Sequence, residues 1–395
     1  MTKVILKRNE GRLVSSGGLW IFDNEIDYID NKYQNGNIVE VDSYKNDFIG
    51  YGYINDNSKI KIRLLSRNKD DVIDDEFFIS RFNKAWEYRK KVIDTKCCRI
   101  VFSDSDNLPG LIVDKFNDVL VFEIDTLGME VRKKQLVNCL LKVLKDDGIE
   151  IDKVYERSDA KVRELEGLER IKGFLSKEFD TNITIEEYGV KFQINIADGQ
   201  KTGYFLDQKA NHYAIRNLCK DARVLDCCTH IGGFALSAAK VAKEVIGIDA
   251  SKLAIEQAIY NSKLNNLNNT EFKVADVFDF LKQQEEKGEK YDVVILDPPA
   301  FTKSKNSIKS ASKGYKEINY RAMKILNDGG ILVTCSCSEH MYKEMFEKIV
   351  LNAANDAHKR LKLIESRSQD RDHPIIMGRN VSEYLKCLIY QVNNR

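Results

Sequence analysis

The spacing of apolar residues changes along the chain, and the changes divide it into three stretches. Residues 1–70 carry short runs at Val4–Lys7, Ile38–Val41, Phe48–Ile54 and Ile60–Leu65. In the last run Ile60, Ile62 and Leu64 fall on one face, and Lys61 and Arg63 on the other. That is strand periodicity with one buried and one solvated side. Gly17-Gly18 and Asn35-Gly36-Asn37 supply turns between runs. The stretch predicts a small β-rich module, with the aromatics of Gly18-Leu-Trp-Ile-Phe22 as a core plug.

Residues 71–188 mix two periods. From Asp74 to Arg99, Phe78, Phe82, Ala85, Trp86, Val92 and Ile93 recur at helical spacing, opposite a basic, solvated face. Strands are predicted at Ile100–Phe102, Leu111–Lys115, Val119–Ile124 and Lys153–Glu156. A helix is predicted over Met129–Lys145, stopped near Gly148. A hairpin, Thr184–Tyr188 and Val190–Ile196, turns at Gly189. This is a middle α/β module.

Residues 189–395 alternate strand and helix. Strands are predicted at Arg223–Cys227, Glu244–Asp249, Glu271–Ala275, Tyr291–Asp297, Gly330–Ser336, Lys362–Ser366 and Tyr384–Gln391. Helices fall between them, after an initial helix over Gln208–Leu218. Such alternation predicts an α/β fold, a doubly wound parallel sheet with ligands at the carboxyl ends of its strands.

Composition adds boundaries to this picture. At 395 residues, with 43% hydrophobic and 31% charged residues, the chain has ample core for such domains. A net charge of +1 excludes a global polyelectrolyte field, so nucleic-acid affinity must come from local patches. The 9 cysteines show no CxxC spacing and an odd count, which fits a reducing cytoplasm rather than a disulfide framework. No metal site is expected. No run reaches membrane-spanning length, and the first residues lack an apolar signal core.

Candidate chemistry gathers at strand ends. Tyr291-Asp-Val-Val-Ile-Leu-Asp-Pro-Pro-Ala-Phe301 is an apolar strand closed by Asp297 and two prolines, which cannot extend a ladder. The first strand–turn–helix unit, Val224 to Phe234, lacks GxGxxG and has only Gly232 and Gly233 late in the turn. That weighs against a dinucleotide and favours a cofactor without phosphates, for which S-adenosylmethionine is the common choice. Asp249 suits ribose hydroxyls and Asp276 the adenine amine, with helix capping as the alternative for each. Asp226 and Gly232 complete the expected pocket. Asp198 to Gln208 reads as a loop closing over the cofactor, with Tyr204 and Phe205 as lid aromatics and Asp207 and Gln208 as polar contacts.

The strand Gly330–Ser336 continues as Thr334-Cys-Ser-Cys-Ser338, so a thiol should lie beside Asp297. A thiolate adding to carbon 6 of a pyrimidine makes carbon 5 nucleophilic, and an acid is needed at N3. Alternate strand residues share a face, so Cys335 and Cys337 are both candidates. Thr302–Lys324 carries seven basic residues against Glu317. With Pro298, Phe301 and Tyr315 beside Lys303, Lys305 and Lys313, it reads as a substrate grip for RNA.

The chain resembles the bacterial 23S ribosomal RNA large-subunit methyltransferases that make 5-methylcytosine. The resemblance rests on Gly18-Leu-Trp-Ile-Phe22, Leu108-Pro-Gly-Leu-Ile-Val-Asp114, Tyr155-Glu-Arg-Ser-Asp159, Lys201-Thr-Gly-Tyr-Phe-Leu-Asp-Gln208, Gly232-Gly-Phe-Ala235, Leu296-Asp-Pro-Pro-Ala-Phe301, Gly314-Tyr-Lys-Glu-Ile-Asn319, Ser336-Cys-Ser338 and Asp372-His-Pro374. It implies an RNA-binding PUA domain over 1–70, a middle domain over 71–188 and a class I methyltransferase domain over 189–395. It also implies S-adenosylmethionine, a nucleophile at Cys337, and 23S ribosomal RNA as substrate, naked or at early assembly. A homodimer is left open. Ala300 stands where many RNA cytosine-5 enzymes carry a second Cys, which fits a single-cysteine subgroup. The rival readings are a base N-methyltransferase, against which Ala300 before Phe301 counts, and a non-catalytic RNA-binding factor.

Overall fold

In the computed structural model, which describes residues 1–302, 307–377 and 382–395, the chain divides into two compact units. The first comprises Met1–Ile183, Ile194–Tyr204 and Arg371–Pro374, and the second Thr184–Gln193, Phe205–Asp370 and Ile375–Arg395.

The first unit holds two sheets. One has six strands, ordered Trp20–Ile21, Ile62–Ser66, Phe48–Ile54, Ile38–Asp42, Lys3–Leu6 and Ile26–Ile29. The strands at Trp20 and Ile26 are too short to show a period, so the pattern alone does not reveal them. The second sheet has five strands, Ile171–Phe174, Lys153–Ser158, Val119–Ile124, Leu111–Phe116 and Cys97–Phe102. The helix expected over Asp74–Arg99 stops at Val92, because Cys97–Phe102 pairs with Leu111–Phe116.

Hydrogen bonds join these sheets. Trp20 Nε1 donates to Asp104 Oδ1 at 2.8 Å, and Tyr53 OH donates to the Pro109 carbonyl at 2.8 Å. Arg63, expected on a solvated face, is instead buried against Glu166, Nη1 to Oε1 at 2.8 Å. Alternation identifies two faces correctly but cannot show that the second face is also covered. Asp372-His-Pro374, grouped by resemblance with the catalytic motifs, belongs to the first unit. There the Asp372 carboxylate accepts from Arg99 N at 2.9 Å, and its carbonyl accepts from Arg89 Nη2 at 2.9 Å.

The second unit is built on a seven-stranded sheet: β1 (Arg223–Cys227), β2 (Glu244–Asp249), β3 (Thr270–Val274), β4 (Tyr291–Leu296), β5 (Leu326–Ser336), β6 (Lys359–Arg367) and β7 (Lys386–Asn394). Its order is β3-β2-β1-β4-β5-β7-β6. The sheet is not wholly parallel, because β7 runs antiparallel between β5 and β6. The helices are α1 (Gly233–Ala239), α2 (Lys252–Leu264), α3 (Val277–Lys287), α4 (Ile308–Ile325) and α5 (Lys343–Asp356).

Central strands read as unbroken apolar runs because both faces are covered. Val293 and Ile295 of β4 pack with Phe234, Ala235 and Ala238 of α1. Val294 and Leu296 point the other way, with Leu281, Ile318 and Phe346 from α3, α4 and α5. The expected helix over Gln208–Leu218 is a short helix, Lys209–Ala214, between 3-10 turns at Leu206–Gln208 and Arg216–Cys219. Strand order reverses between β1 and β4, so their carboxyl ends open the crevice where such sheets bind ligands.

Removing Arg63 would leave the Glu166 carboxylate, 1% exposed, without its cation. Arg63→Met is expected to cost about 3 kcal/mol in urea unfolding, and adding Glu166→Met should restore much of that loss. A loss under about 0.5 kcal/mol would show that the pair is immaterial.

Candidate active site

Asp297 comes directly after the last residue of β4. Its N–H still donates to the Cys227 carbonyl of β1 at 3.3 Å, and the two prolines then end the ladder. Its Oδ2 accepts from Gln208 Nε2 at 3.0 Å. Gln208 Oε1 in turn accepts from Asn211 Nδ2 at 2.7 Å, and Asn211 Oδ1 accepts from Arg367 Nε at 2.9 Å. Each amide uses both ends, so the chain orients the carboxylate. Gln208 is one of the expected polar contacts. Asn211 and Arg367 are not, since nothing in their local sequence marks them.

The two cysteines separate. β5 lies beside β4, with Leu296 opposite Thr334. Cys335 is fully buried, opposite Cys387 of β7, and burial pushes its thiol well above the usual range. β5 ends at Ser336, so strand alternation does not extend to Cys337. Cys337 is partly exposed, and its Sγ lies 3.9 Å from the Pro298 carbonyl oxygen. Both its neighbours are pinned: Ser336 Oγ donates to Tyr315 OH at 3.0 Å, and Ser338 Oγ donates to the Thr302 carbonyl at 2.8 Å.

Tyr315 corrects an expectation. It is completely buried, packed between the Phe301 and Phe346 rings at 4.7 and 5.2 Å, and is a core residue rather than a substrate contact. Its place on the apolar face of α4 explains this. Phe301 is half-buried and Pro298 buried, while Pro299 is exposed. Lys313 is exposed, whereas Lys303 and Lys305 lie outside the described residues. The basic segment is partly neutralised, because Lys316 pairs with Asp356 at 2.6 Å and Arg321 with both Glu285 and Glu317.

Across β1 to β3 the strand-end carboxylates differ in their duties. Asp226 is 1% exposed. Its Oδ2 accepts from Thr229 Oγ1 at 2.6 Å and Ala235 N at 3.0 Å, and its Oδ1 has no hydrogen-bond partner among the described residues. Burial raises this carboxyl to about 7, with nearby Asp297 adding to the rise. An orphaned buried acceptor at the head of β1 is a ready seat for a ligand's donor or cation. Asp249 Oδ2 accepts from His230 N at 2.9 Å and Oδ1 from Ser251 N at 2.8 Å. Ser251, not Asp249, caps α2. Asp276 does cap its helix: Oδ1 accepts from Phe278 N and Asp279 N.

The intervening loop is tight. Cys228 and His230 have φ of 63° and 51°, uncommon for residues with side chains. Gly232 has φ 95°, and a Cβ on Gly233 would lie 2.6 Å from the His212 ring. His212 is itself held by Glu187 at 2.8 Å. Burial first, then Asp249, Asp297, Asp226 and Asp276, pushes the Cys228 thiol up, so four carboxylates converge on this loop. The residues present therefore fit a cationic or polyhydroxylated ligand.

Phe205 meets the His230 ring edge-on at 5.1 Å. Asp207 is buried, and its Oδ2 accepts from Tyr384 OH at 2.6 Å. Tyr204 is 2% exposed and falls in the first unit. Lys386, which no sequence motif marks, donates from Nζ to the Ser338 carbonyl at 2.6 Å and the Tyr384 carbonyl at 2.8 Å. It lies opposite Ser336 in the β5–β7 register, a pairing that no local spacing shows.

Residues 4–67 match a model described as a PUA-like domain, and residues 218–377 match a methyltransferase domain. The chain is 40% identical to a protein of Aliivibrio fischeri named ribosomal RNA large subunit methyltransferase I, covering 93% of both chains. It is 37% identical to one of the same name from Tolumonas auensis, covering 98% of both. A solved structure from Streptococcus mutans, described as a SAM-dependent methyltransferase of unproven activity, matches with TM-score 0.81 at 21% identity, over 99% of this chain and 100% of that chain. A second solved methyltransferase, complexed with SAH, matches with TM-score 0.84, again at 21% identity over 99% of this chain and 100% of its own. These structural likenesses speak to the fold.

Asp226 makes stability depend on pH. An unfolded Asp releases its proton near pH 4, but the folded carboxyl keeps it to about 7. The folded chain therefore binds more protons in that window, and stability falls as pH rises through it. Asp226→Asn, neutral throughout, should flatten the fall in thermal midpoint between about pH 5 and pH 7.5. A slope equal to that of the wild type would contradict this origin.

Proposed function

The chain belongs to the ribosomal RNA large subunit methyltransferase I family, and from that membership we propose that it methylates carbon 5 of a cytosine in 23S ribosomal RNA by way of a Cys337 adduct. The observation that carries the reading is the meeting of Cys337 with Pro298: a partly exposed thiol stands against the carbonyl of the residue after Asp297. Fully buried Cys335 has no such access, which favours Cys337 as the nucleophile.

Asp226, the Gly232-Gly233 turn, Asp249, Asp276 and Phe205 are the residues that would hold S-adenosylmethionine. The orphaned Oδ1 of Asp226 and the convergence of four carboxylates support that choice. The cofactor, when bound, supplies an electrophilic methyl group. The Cys337 thiolate adds to carbon 6 of the base, and the C5–C6 electron pair becomes available at carbon 5. Asp297, oriented by Gln208, acts at the N3 side of the ring as the carboxylic acid: it donates its proton where the negative charge develops and takes it back when the adduct collapses. After carbon 5 is methylated, a base such as solvent water takes its proton, the C5–H electron pair re-forms the C5–C6 double bond, and the C6–S pair departs on sulfur as the thiolate. Ala300 supplies no second thiol for this release.

The PUA-like domain and exposed Lys313 support RNA as the substrate, met naked or at an early assembly stage. Cys337→Ala is expected to lower methyl transfer at least about 10³-fold, while Cys335→Ala keeps most activity. RNA carrying 5-azacytidine should form a covalent adduct with the wild type and none with Cys337→Ala. Nucleotide-resolution mapping of 5-methylcytosine in 23S ribosomal RNA, with and without the gene, identifies the target. Turnover retained in Cys337→Ala would overturn the thiolate mechanism.

A further inference from the structure

Lys386 is 2% exposed at the first position of β7. A buried ammonium costs several kcal/mol unless an anion offsets it. Among the described residues Lys386 makes no ion pair with a carboxylate. The charged groups that face it are Cys337, Glu383 and Glu339, and both glutamates are exposed, where solvent screens them. The group left to balance the cation is the Cys337 thiol.

The backbone holds the two together. Lys386 lies opposite Ser336 in the β5–β7 ladder, and its Nζ donates to the carbonyl of Ser338 at 2.6 Å. The ammonium is thus bonded to the residue after Cys337 and paired across from the residue before it. A second bond, to the Tyr384 carbonyl at 2.8 Å, fixes its direction. The hydroxyls of Ser336 and Ser338 are tied to Tyr315 and Thr302, so the turn carrying the sulfur is held on both sides. Tyr315 also faces Cys337, and it feels Asp297 as well; burial raises its phenol to about 12, so it stays neutral at working pH.

We infer that Lys386 is the positioning residue of the Cys337 thiolate: its buried ammonium, bonded to the Ser338 and Tyr384 carbonyls, supplies the counter-charge that keeps the sulfur ionised and aimed at the strand-end crevice. This rests on Cys337 being the nucleophile. A neutral amine could also hold two carbonyls, but only the cation favours the thiolate. Burial lowers Lys386 to about 8, with Cys337 acting in the opposite sense, so the amine is charged at neutral pH.

The test is alkylation of the full-length protein by uncharged iodoacetamide, with the Cys337 peptide quantified by mass spectrometry. The measured quantity is the ratio of its rate at about pH 8.5 to that at about pH 6.5, in which steric access cancels. An ordinary thiol gives a ratio of about fifty, and one stabilised by an adjacent cation about ten or less. The wild type and Lys386→Arg are expected at the shallow end, and Lys386→Met at the steep end. Lys386→Met keeps the volume; the buried charge it removes and the two carbonyl hydrogen bonds it gives up act in opposite directions on stability, so its thermal midpoint establishes that it is folded before the ratio is read.

A shallow ratio in a folded Lys386→Met protein overturns the inference. So does a steep ratio in the wild type, which decides the matter even if the variant does not fold. Turnover by Cys337→Ala would instead remove the nucleophile reading and leave these ratios standing.

Discussion

Parallel pairing of β4 with β5 is the constraint on which the site depends. β4 leads into Asp297-Pro298-Pro299 and β5 ends two residues before Ser338, and their register sets Leu296 opposite Thr334. Parallel strands whose carboxyl ends lie within two residues of each other deliver their next residues to the same edge. Those residues bring a carboxylate from β4 and a thiol from β5. The prolines matter because they cannot donate to a ladder, so the chain leaves the sheet just where Cys337 can approach the Pro298 carbonyl.

Around that meeting point the charges are arranged against their usual preference. Asp226 is buried and raised to about 7, Lys386 is buried and lowered to about 8, and Asp297 is oriented by a chain of amides ending at Arg367. Groups removed from water and left near neutrality shift their charge readily when a ligand arrives. The loop from Cys228 to Gly233 has the same character. Its left-handed residues and its close approach to His212 are held in place by the sheet and the Glu187 contact.

Much of the second unit is legible from periodicity. Strands buried on both faces read as apolar runs, and a carboxylate closing each of β2 and β4 is visible as a break in such a run. Asp249 and Asp297 are found in this way. Helix ends are harder, since Val92 and Ile93 carry the helical spacing of apolar residues to within four residues of the strand that begins at Cys97. Arg63 and Tyr315 depart from expectation for one reason. A polar or amphipathic side chain at a given period can face solvent or a second layer, and only the layer decides. Arg63 finds Glu166, and Tyr315 finds Ser336 between two phenylalanine rings.

By itself the sequence determined the class of the fold, the strand-end position of the carboxylates, the missing dinucleotide glycines and the pair of candidate thiols, because each is written in local spacing. Only the tertiary structure separated Cys335 from Cys337, since exposure at a strand end depends on β7 covering one residue and not the other. Only it assembled Gln208, Asn211 and Arg367 behind Asp297, and set Lys386 against the carbonyl of Ser338, the residue after Cys337. The bonds from Gln208 to Asp297, from Arg367 to Asn211 and from Lys386 to Ser338 each join residues far apart in the chain. No local period can encode which distant side chain will fill a given gap.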